Sequence, residues 1–330
     1  MHPPLVSVVI PTHRRAELLS RAIQSSIDTY GDATEVIVVP NGPDSDWLRV
    51  AATYEEDIRV VFSPLAEANG NAARNHGLTM AQGKYVRFLD DDDFLLPAAA
   101  EQLKALEDSQ ADMSSGVVAL IDELQRPLGH AATAGSTDFV CASVRHSGFQ
   151  LPVGNLFLRS ALGNVTWDPA VRRGQDYAWM VSLAMHREWK WVHLNQPVGV
   201  WFQHSQERVS PTSAMRSRDR STVDLLIELS DRLEATGRME GARKEAIASA
   251  IWHFVHRGFP YAPLHWAGVA GEARRLEPGS RPAAAHFHLP VVRHIPPLVI
   301  EWLLLPARRA VTFWRDLRRR LVGDDYRRKI

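Results

Sequence analysis

The N-terminal part of the chain alternates between short apolar runs and longer segments with helical spacing. Val6–Ile10, Glu35–Val39 and Ile58–Phe62 are rich in β-branched residues and predict buried strands. Between them, Arg14–Ile23 and Trp47–Tyr54 carry apolar residues three and four positions apart, which predicts helices. This order of strands and helices predicts an α/β fold in which helices flank a mostly parallel sheet.

The alternation continues to about residue 212, with one exception. Gln125–Gln150 is rich in Gly, Ala, Ser and Thr and has weak periodicity, which predicts a loop or a poorly ordered insertion. The remaining predicted helices are Asn69–Met80, Pro97–Asp108 and Tyr177–Arg187, and the remaining predicted strands are Lys84–Leu89, Met113–Ile121, Leu151–Arg159, Trp189–Leu194 and Val198–Phe202.

From about residue 213 the pattern is helical, with little strand signal. We therefore expect two domains, residues 1–212 and residues 213–330. Two helices are predicted over residues 213–257. Breaks follow at Pro260, Pro263, Pro278 and Pro282.

The predicted strand that begins at Lys84 ends in four consecutive carboxylates. Adjacent negative charges repel one another, so a bound cation would stabilise them, and an all-oxygen set suits Mg²⁺ or Mn²⁺. Alternation along an extended segment predicts Asp90 and Asp92 on one side and Asp91 and Asp93 on the other. The carboxyl ends of strands are where α/β sheets bind ligands. The alternative is a solvated acidic turn that caps the following helix.

The composition argues against a nucleic-acid-binding protein and against a disulfide-rich secreted protein. Lys plus Arg (38) balances Asp plus Glu (38), so no overall field favours nucleic acid as a partner. The single cysteine, Cys141, excludes an internal disulfide framework and a multi-cysteine zinc site, and it favours a reducing cytosol. Met1–Pro4 lacks a signal-peptide pattern, and no apolar run reaches the roughly 18 residues of a membrane span. We expect a cytoplasmic protein.

Several motifs in a fixed order resemble those of family 2 glycosyltransferases, the inverting, nucleotide-sugar-dependent class with a GT-A fold. The matching segments are Val6–Thr12, Asn71–Leu78, Gly83–Asp93, Gly174–Tyr177 and His204–Ser210. The resemblance covers about residues 4–212. It implies a GT-A fold and the transfer of a sugar from a nucleotide donor to a hydroxyl acceptor, with Mn²⁺ or Mg²⁺ as cofactor.

The resemblance also implies roles for individual residues in donor binding. Asp90 would lie near the ribose and Asp92 on the metal, as the D-x-D pair of the family. Asn41 would lie near the base, and Arg74 near the base or the diphosphate. The full donor-binding set is Pro11, Thr12, Arg14 or Arg15, Asn41, Arg74, Asp90 and Asp91.

Two further residues complete the implied site. Asp176 occupies the place of the catalytic base, with Gln175 where the family more often has Glu. One base suffices for an inverting transfer, since it takes the proton of the attacking hydroxyl. His204 matches a histidine that reaches the metal or the diphosphate. The alternatives are an N-cap for Asp176, a solvated helix charge for Arg74 and a structural histidine at position 204.

The chain departs from the family at Val39–Gly42, which lacks the usual acidic residues, so the base of the donor is not specified. Two other functions stay open. A sugar nucleotidyltransferase would show a Gly-rich signature after the first strand, where this chain has Pro11–Arg14. A nucleotide-sugar-binding or scaffold protein would bind the donor without turnover.

Residues 291–330 contain ten Lys or Arg and four Asp or Glu, a net charge of +6, interleaved with apolar residues that include Trp302 and Trp314. Such an amphipathic segment is typical of peripheral binding to an anionic membrane. The alternative is packing on the catalytic domain or on a second copy of the chain in a homodimer. A position on the inner face of the cell membrane would suit the synthesis of surface polysaccharides or glycolipids.

Overall fold

The computed structural model describes residues 3–204 and 219–322, with side chains as far as residue 314. The chain forms two compact units that divide after His204. The domain boundary expected at residue 212 lies outside the described residues and stays a prediction, and so does the part of the motif that follows His204.

The N-terminal unit is a mixed sheet with helices packed on it. Its strands are β1 Val6–Thr12, β2 Thr34–Pro40, β3 Val60–Phe62, β4 Tyr85–Phe88, β5 Phe94–Leu95, β6 Met113–Asp122, β7 Pro127–His130, β8 Asn155–Leu158 and β9 Trp191–Gln203. Its helices are α1 Ala16–Tyr30, α2 Trp47–Thr53, α3 Gly70–Met80, α4 Glu101–Ser109, α5 Phe139–Val144 and α6 Gln175–His186.

The sheet has the order β3-β2-β1-β4-β8-β6-β9-β5, and β7 pairs with β6. The first four strands in this order are parallel. Beyond β4 the pairs are antiparallel except for β6 with β9. The predicted α/β class and its parallel first half are confirmed, and the second half makes the sheet mixed.

Two predictions about the second half are wrong. The segment Gln125–Gln150 is not a loop, because it contains β7 and α5. Phe139 of α5 stacks on Trp189 with 5.2 Å between ring centroids, so a tertiary contact supports a segment with a weak pattern. The two strands expected between Trp189 and Phe202 form one long strand, β9. The helix predicted over Pro97–Asp108 is confirmed, since it begins as a 3-10 turn at Pro97 and continues as α4 from Glu101 to Ser109.

Helix α3 packs closely on the sheet because of one glycine. A Cβ atom at Gly77 would lie 2.4 Å from Cγ1 of Val9 in β1, far inside van der Waals contact. Only a residue without a side chain allows this approach. The N-terminal end of α3 is thereby fixed beside the carboxyl ends of β1 and β4.

The C-terminal unit is helical, as expected. Its described helices are α7 Ser221–Ala235, α8 Gly241–Gly258, α9 Pro263–Leu276 and α10 Pro297–Val322. The prolines after residue 257 were expected to interrupt helices, but Pro263 is the first residue of α9. Proline is tolerated there because the backbone N–H groups of the first helical turn have no partner within the helix. In the ranges 3–204 and 219–322, no helix is both long and apolar enough to cross a bilayer.

Arg87 lies wholly buried in β4, next to the acidic loop. Its Nη1 donates to the carbonyl of Val153 at 2.6 Å, its Nε donates to the Tyr30 hydroxyl at 3.1 Å, and its Nη2 donates to Oε1 of Gln102. Gln102 is also buried and donates to the carbonyls of Ser114 and Gly154. This network joins β4 to α4, β6 and the turn before β8.

We expect Gln102→Met to reduce the free energy of unfolding by about 2–3 kcal/mol, because it leaves a buried guanidinium one acceptor short. Hydrogen exchange of the β4 amides measures this change. The control is Gln24→Met, which removes an exposed hydrogen bond to Asp28 and should change stability by about 0.5 kcal/mol or less. Equal effects of the two substitutions would contradict the structural role of the network.

Candidate active site

The site forms where β1, β2 and β4 end. The Oγ1 of Thr12, the last residue of β1, donates to Oδ2 of Asp91 at 2.8 Å. The side-chain amide of Asn41, just beyond β2, donates to the Thr12 carbonyl at 2.9 Å. Both Thr12 and Asn41 are buried, so the ends of β1 and β2 are locked to each other and to the acidic loop.

The acidic loop Asp90–Asp93 follows β4, which ends at Phe88. The backbone N–H of Asp93 donates to the Asp90 carbonyl at 3.1 Å, which closes a turn. The expectation that Asp93 faces away from Asp90 and Asp92 is wrong, because the turn replaces the extended conformation on which that expectation depended. Carboxylate oxygens of Asp90, Asp92 and Asp93 lie within 4.8 Å of one another.

The acidic loop does not cap the following helix. The residue before that helix is Leu96, and no side chain caps it. Asp91 and Asp93 are buried, with 2% and 3% of their surface exposed. A solvated turn would leave these carboxylates in water, so the capping alternative is wrong.

Three arginines lie against the acidic loop. Arg15 forms ion pairs with Asp91, at 3.2 Å, and with Asp92. Arg21 donates to the Asp92 carbonyl at 2.9 Å and lies over the rings of Phe94 and Phe202. The third guanidinium belongs to Arg74.

Arg74 projects from α3 and is 5% exposed. Its Nη2 lies 2.5 Å from Oδ1 of Asp90, and its guanidinium lies 4.6 Å from the ring centroid of Trp167. Burial alone would lower the pKa of this guanidinium, but attraction to Asp90 and then to Asp176 outweighs burial and raises the pKa. The solvated-charge alternative for Arg74 is therefore wrong.

Asp176 lies in the first turn of α6. The residue before α6 is Gly174, which has a left-handed φ of 63°, and no side chain caps the helix, so the N-cap alternative for Asp176 is wrong. Burial, and then repulsion from Asp90, raise the pKa of Asp176 to about 7, although Arg74 acts in the opposite direction. A carboxylate in this state accepts a proton readily near neutral pH.

The structure also brings His204 to the acidic loop. Its Nε2 lies 2.9 Å from Oδ2 of Asp92, and its side chain is 2% exposed. Its Nδ1 is buried and has no hydrogen-bond partner among the described residues. The ring is therefore held against a predicted metal ligand.

The local charge balance fits a divalent cation. The carboxyl groups of Asp90–Asp93 and Asp176 outnumber the guanidinium groups of Arg15, Arg21 and Arg74 by two. Burial, opposed by Arg15 and reinforced by Asp92, raises the pKa of Asp91 to about 7, as expected where negative charge is incompletely neutralised. A hard divalent ion would supply the missing charge, and carboxylate oxygens are its preferred ligands.

Not every predicted donor-binding residue points into this cluster. Arg14 is exposed and has a left-handed φ of 56°, and its backbone N–H donates to Asp44, so Arg15 is the neighbour that reaches the aspartates. The donor group of Asn41 is already used on Thr12. Pro11 is buried in β1. Roles for these residues in donor binding stay predictions.

Comparison with known proteins places this site in a family. Residues 7–163 match the model of the family described as Glycosyl transferase family 2. The N-terminal unit of the chain belongs to glycosyltransferase family 2. The resemblance recognised from the motifs is confirmed.

One curated relative of the chain is the GalNAc(5)-diNAcBac-PP-undecaprenol beta-1,3-glucosyltransferase of Campylobacter jejuni. It is 34% identical over 103 residues, which are 30% of this chain and 33% of that protein. The matched segments span between 17% and 33% of the length of the first four curated relatives.

Two solved structures share the fold. TarS of Staphylococcus aureus with UDP-GlcNAc matches with a TM-score of 0.63 and 15% identity over 83% of this chain and 82% of that chain. The mannosyltransferase PcManGT of Pyrobaculum calidifontis, with GDP-Man and Mn²⁺, matches with a TM-score of 0.51 and 19% identity over 96% of this chain and 88% of that chain. The GT-A-like fold is thereby confirmed.

The raised pKa of Asp176 makes a prediction for the metal-free protein. The pKa of Asp176 is about 7 in the folded state and about 4 in the unfolded state, so the fold disfavours the ionised carboxylate. The contribution of Asp176 to the free energy of unfolding therefore falls as the pH rises from about 4 to about 7. With a chelator present, Asp176→Asn should therefore raise the melting temperature relative to the original protein more at about pH 8 than at about pH 5.

Asp28→Asn provides the control, because Asp28 is an exposed carboxylate on α1. Its melting-temperature difference from the original protein should not change in the same way between the two pH values. A melting-temperature difference for Asp176→Asn that does not depend on pH would show that folding does not raise the pKa of Asp176.

Proposed function

We propose that the chain is a metal-dependent, inverting glycosyltransferase of the hexosyltransferase type, which moves a sugar from a nucleotide-sugar donor to a hydroxyl acceptor. One observation carries this proposal. Asp176, with its pKa of about 7, interacts electrostatically with Arg74 and Asp90, which form an ion pair. Asp90 also belongs to the group of carboxylates in the acidic loop that could hold a metal ion. A proton acceptor and a site for a charged leaving group are thus adjacent.

In the proposed reaction, Asp176 accepts the proton of the acceptor hydroxyl. The hydroxyl oxygen forms a bond to the anomeric carbon of the donor sugar as the bond from that carbon to the diphosphate oxygen breaks. The bonding electrons leave with the nucleoside diphosphate. A single displacement inverts the anomeric centre and requires one base only.

The residues around the acidic loop would serve the diphosphate. Asp92, Asp90 and Asp93 would hold Mn²⁺ or Mg²⁺ with His204 beside them, and the bound ion would neutralise charge on the leaving group. Arg74 would add a fixed positive charge in a buried position, where electrostatic attraction is strong. The solved neighbours with UDP-GlcNAc and with GDP-Man and Mn²⁺ support a nucleotide-sugar donor.

We expect Asp92→Asn and Asp176→Asn to have different effects. Asp92→Asn should abolish the metal-dependent part of donor binding, because it removes a ligand charge. Asp176→Asn should keep donor binding and lower kcat about 10²–10⁴-fold, because it removes the base. Titration with UDP-, GDP- and dTDP-sugars, with and without Mn²⁺, measures binding, and donor hydrolysis measures turnover.

Other outcomes would favour the alternative functions. Binding of a nucleotide sugar without any turnover in the original protein would favour a binding or scaffold protein. Formation of a nucleotide sugar from a sugar phosphate and a nucleoside triphosphate would favour a nucleotidyltransferase. Failure to bind any nucleotide sugar would contradict the proposal.

We also propose a peripheral position of the protein on the inner, anionic face of a membrane, with a lipid-linked or surface-glycan acceptor. The support is the outward face of α10. Trp302, Leu303, Phe313 and Trp314 are 42%, 71%, 62% and 65% exposed. Exposed aromatic side chains on a basic helix are typical of interfacial binding.

The other face of α10 is buried and charged. Glu301 is wholly buried, and its Oε1 lies 2.5 Å from Nδ1 of His256 in α8. Arg308 lies two turns further along the same face of α10 and pairs with the second oxygen of Glu301. These contacts hold the charged face of α10 against its own unit. The exposed apolar face, which carries Leu303, Phe313 and Trp314, is therefore the face that can contact a membrane.

Replacing both Phe313 and Trp314 by Ala should weaken binding to vesicles of phosphatidylcholine with phosphatidylglycerol by at least about tenfold, because each ring buries apolar surface worth about 1.5–3 kcal/mol. Co-sedimentation measures the binding, and vesicles of phosphatidylcholine alone should bind less of the original protein. Leu124→Ala, at an exposed leucine of the other unit, is the control.

Unchanged binding by the double variant would contradict the membrane proposal. If that variant instead abolishes a concentration-dependent dimer in solution, the face binds a second copy of the chain.

A further inference from the structure

Helix α3 contacts two parts of the active site through neighbouring side chains. Arg74 contacts Asp90 in the acidic loop. Asparagines on the same end of the helix contact the main chain of residues 167–171, the segment that leads to Asp176. The two contacts are made from one short rigid element.

Asn75 holds this segment by both ends of its side-chain amide. Its Nδ2 donates to the Trp167 carbonyl at 2.7 Å, and its Oδ1 accepts from the Trp167 backbone N–H at 2.8 Å. This pairing imitates one rung of a β-ladder. A side chain without both a donor and an acceptor cannot replace it.

Asn71 joins the segment to Arg74. Its Nδ2 donates to the carbonyls of Asp168, at 2.7 Å, and Val171, at 3.2 Å. Its Oδ1 accepts from Nη1 of Arg74 at 3.2 Å. The residue is 1% exposed, so water does not compete for these bonds.

The segment is also packed against α6. Trp167 stacks on Trp179 with 4.6 Å between ring centroids and an angle of 4° between ring planes, and Trp179 lies one turn after Asp176. The ring of Phe88, the last residue of β4, lies steeply inclined to both, with centroids 5.2 Å from Trp167 and 5.7 Å from Trp179. The guanidinium of Arg74 also lies over the Trp167 ring.

We infer that Asn71 and Asn75 are positioning residues that set the distance between the donor-binding carboxylates and Asp176. They act through Arg74 and through residues 167–171, to which their side chains are hydrogen-bonded. The inference rests on the proposed function for its catalytic consequence, because transfer requires the base and the leaving group in a fixed geometry. Displacement of a catalytic group by about 1 Å costs roughly 10²-fold in rate.

The two asparagines predict different kinetic results. Asn75→Ala releases only the segment before Asp176, so kcat should fall about 10- to 100-fold while the donor affinity changes little. Asn71→Ala also frees Arg74, so both the donor affinity and kcat should fall. The donor affinity is measured by titration in the presence of Mn²⁺, and kcat with the donor found to bind.

Hydrogen exchange gives a readout that does not depend on turnover. In both variants the amides of residues 167–176 should exchange faster than in the original protein, while β1 and β2 should keep their protection. Thr79→Ala is the matched control, because Thr79 lies on α3 and, within the described part of the chain, its hydroxyl donates to the His76 carbonyl of the same helix. It should change neither the exchange of residues 167–176 nor kcat.

Unchanged exchange over residues 167–176 in both variants would overturn the inference, whether or not the protein transfers sugar. Faster exchange with an unchanged kcat in an active protein would also overturn it. If the original protein binds no nucleotide sugar, the proposed function fails, and the exchange result alone decides whether α3 holds the segment.

Discussion

Repulsion among carboxylates at the end of β4 is the constraint on which this structure depends. Asp91 and Asp93 are buried, and Asp90 and Asp92 lie in the same turn. Buried negative charges of this density are tolerated only when cations lie close to them. Arginines from α1 and α3 meet part of this requirement, and the charge that remains is what makes the turn suited to bind a cation with an anionic diphosphate.

The supporting structure is arranged so that these arginines stay in place. The Arg21 guanidinium lies over two aromatic rings, 4.3 Å from the Phe94 centroid and 3.9 Å from the Phe202 centroid, and these contacts limit its freedom to turn away. Arg74 is held by Asp90, Asn71 and Trp167. Charges that are positioned before the substrate arrives need no reorganisation during reaction, and this is a main source of electrostatic catalysis.

Sequence patterns predicted the first half of the fold well because its strands are continuous apolar runs separated by amphipathic helices. They failed for β7 and α5, which tertiary contacts support. Phe139 of α5 packs against Phe149 with 5.5 Å between ring centroids, and β7 pairs with β6. They also split β9, because Pro197 resembles a strand end. In the structure Pro197 lies at a register shift opposite Val117, where a missing N–H is tolerated.

For the site, the motifs identified Asp90, Asp92, Arg74, Asp176 and His204, and the structure places them around one cluster of charges. The choice of Arg15 over Arg14 could not be made from sequence, because it depends on a left-handed backbone at Arg14. The role of Asn71 and Asn75 was equally hidden. Their partners are main-chain atoms nearly a hundred positions away, and a main-chain carbonyl leaves no residue-specific signal.

The parallel pairing of β6 with β9 has a consequence for how the protein folds. It joins Met113 to Trp191, and the parallel pairing of β1 with β4 spans a similar chain separation, from Val6 to Tyr85. Pairings across long chain separations are slow, because loop closure must precede the contacts that reward it. The acidic loop follows β4 and His204 directly follows β9, so each side of the charge cluster depends on one of these long-range pairings. We therefore expect the site to be completed late in the assembly of the sheet.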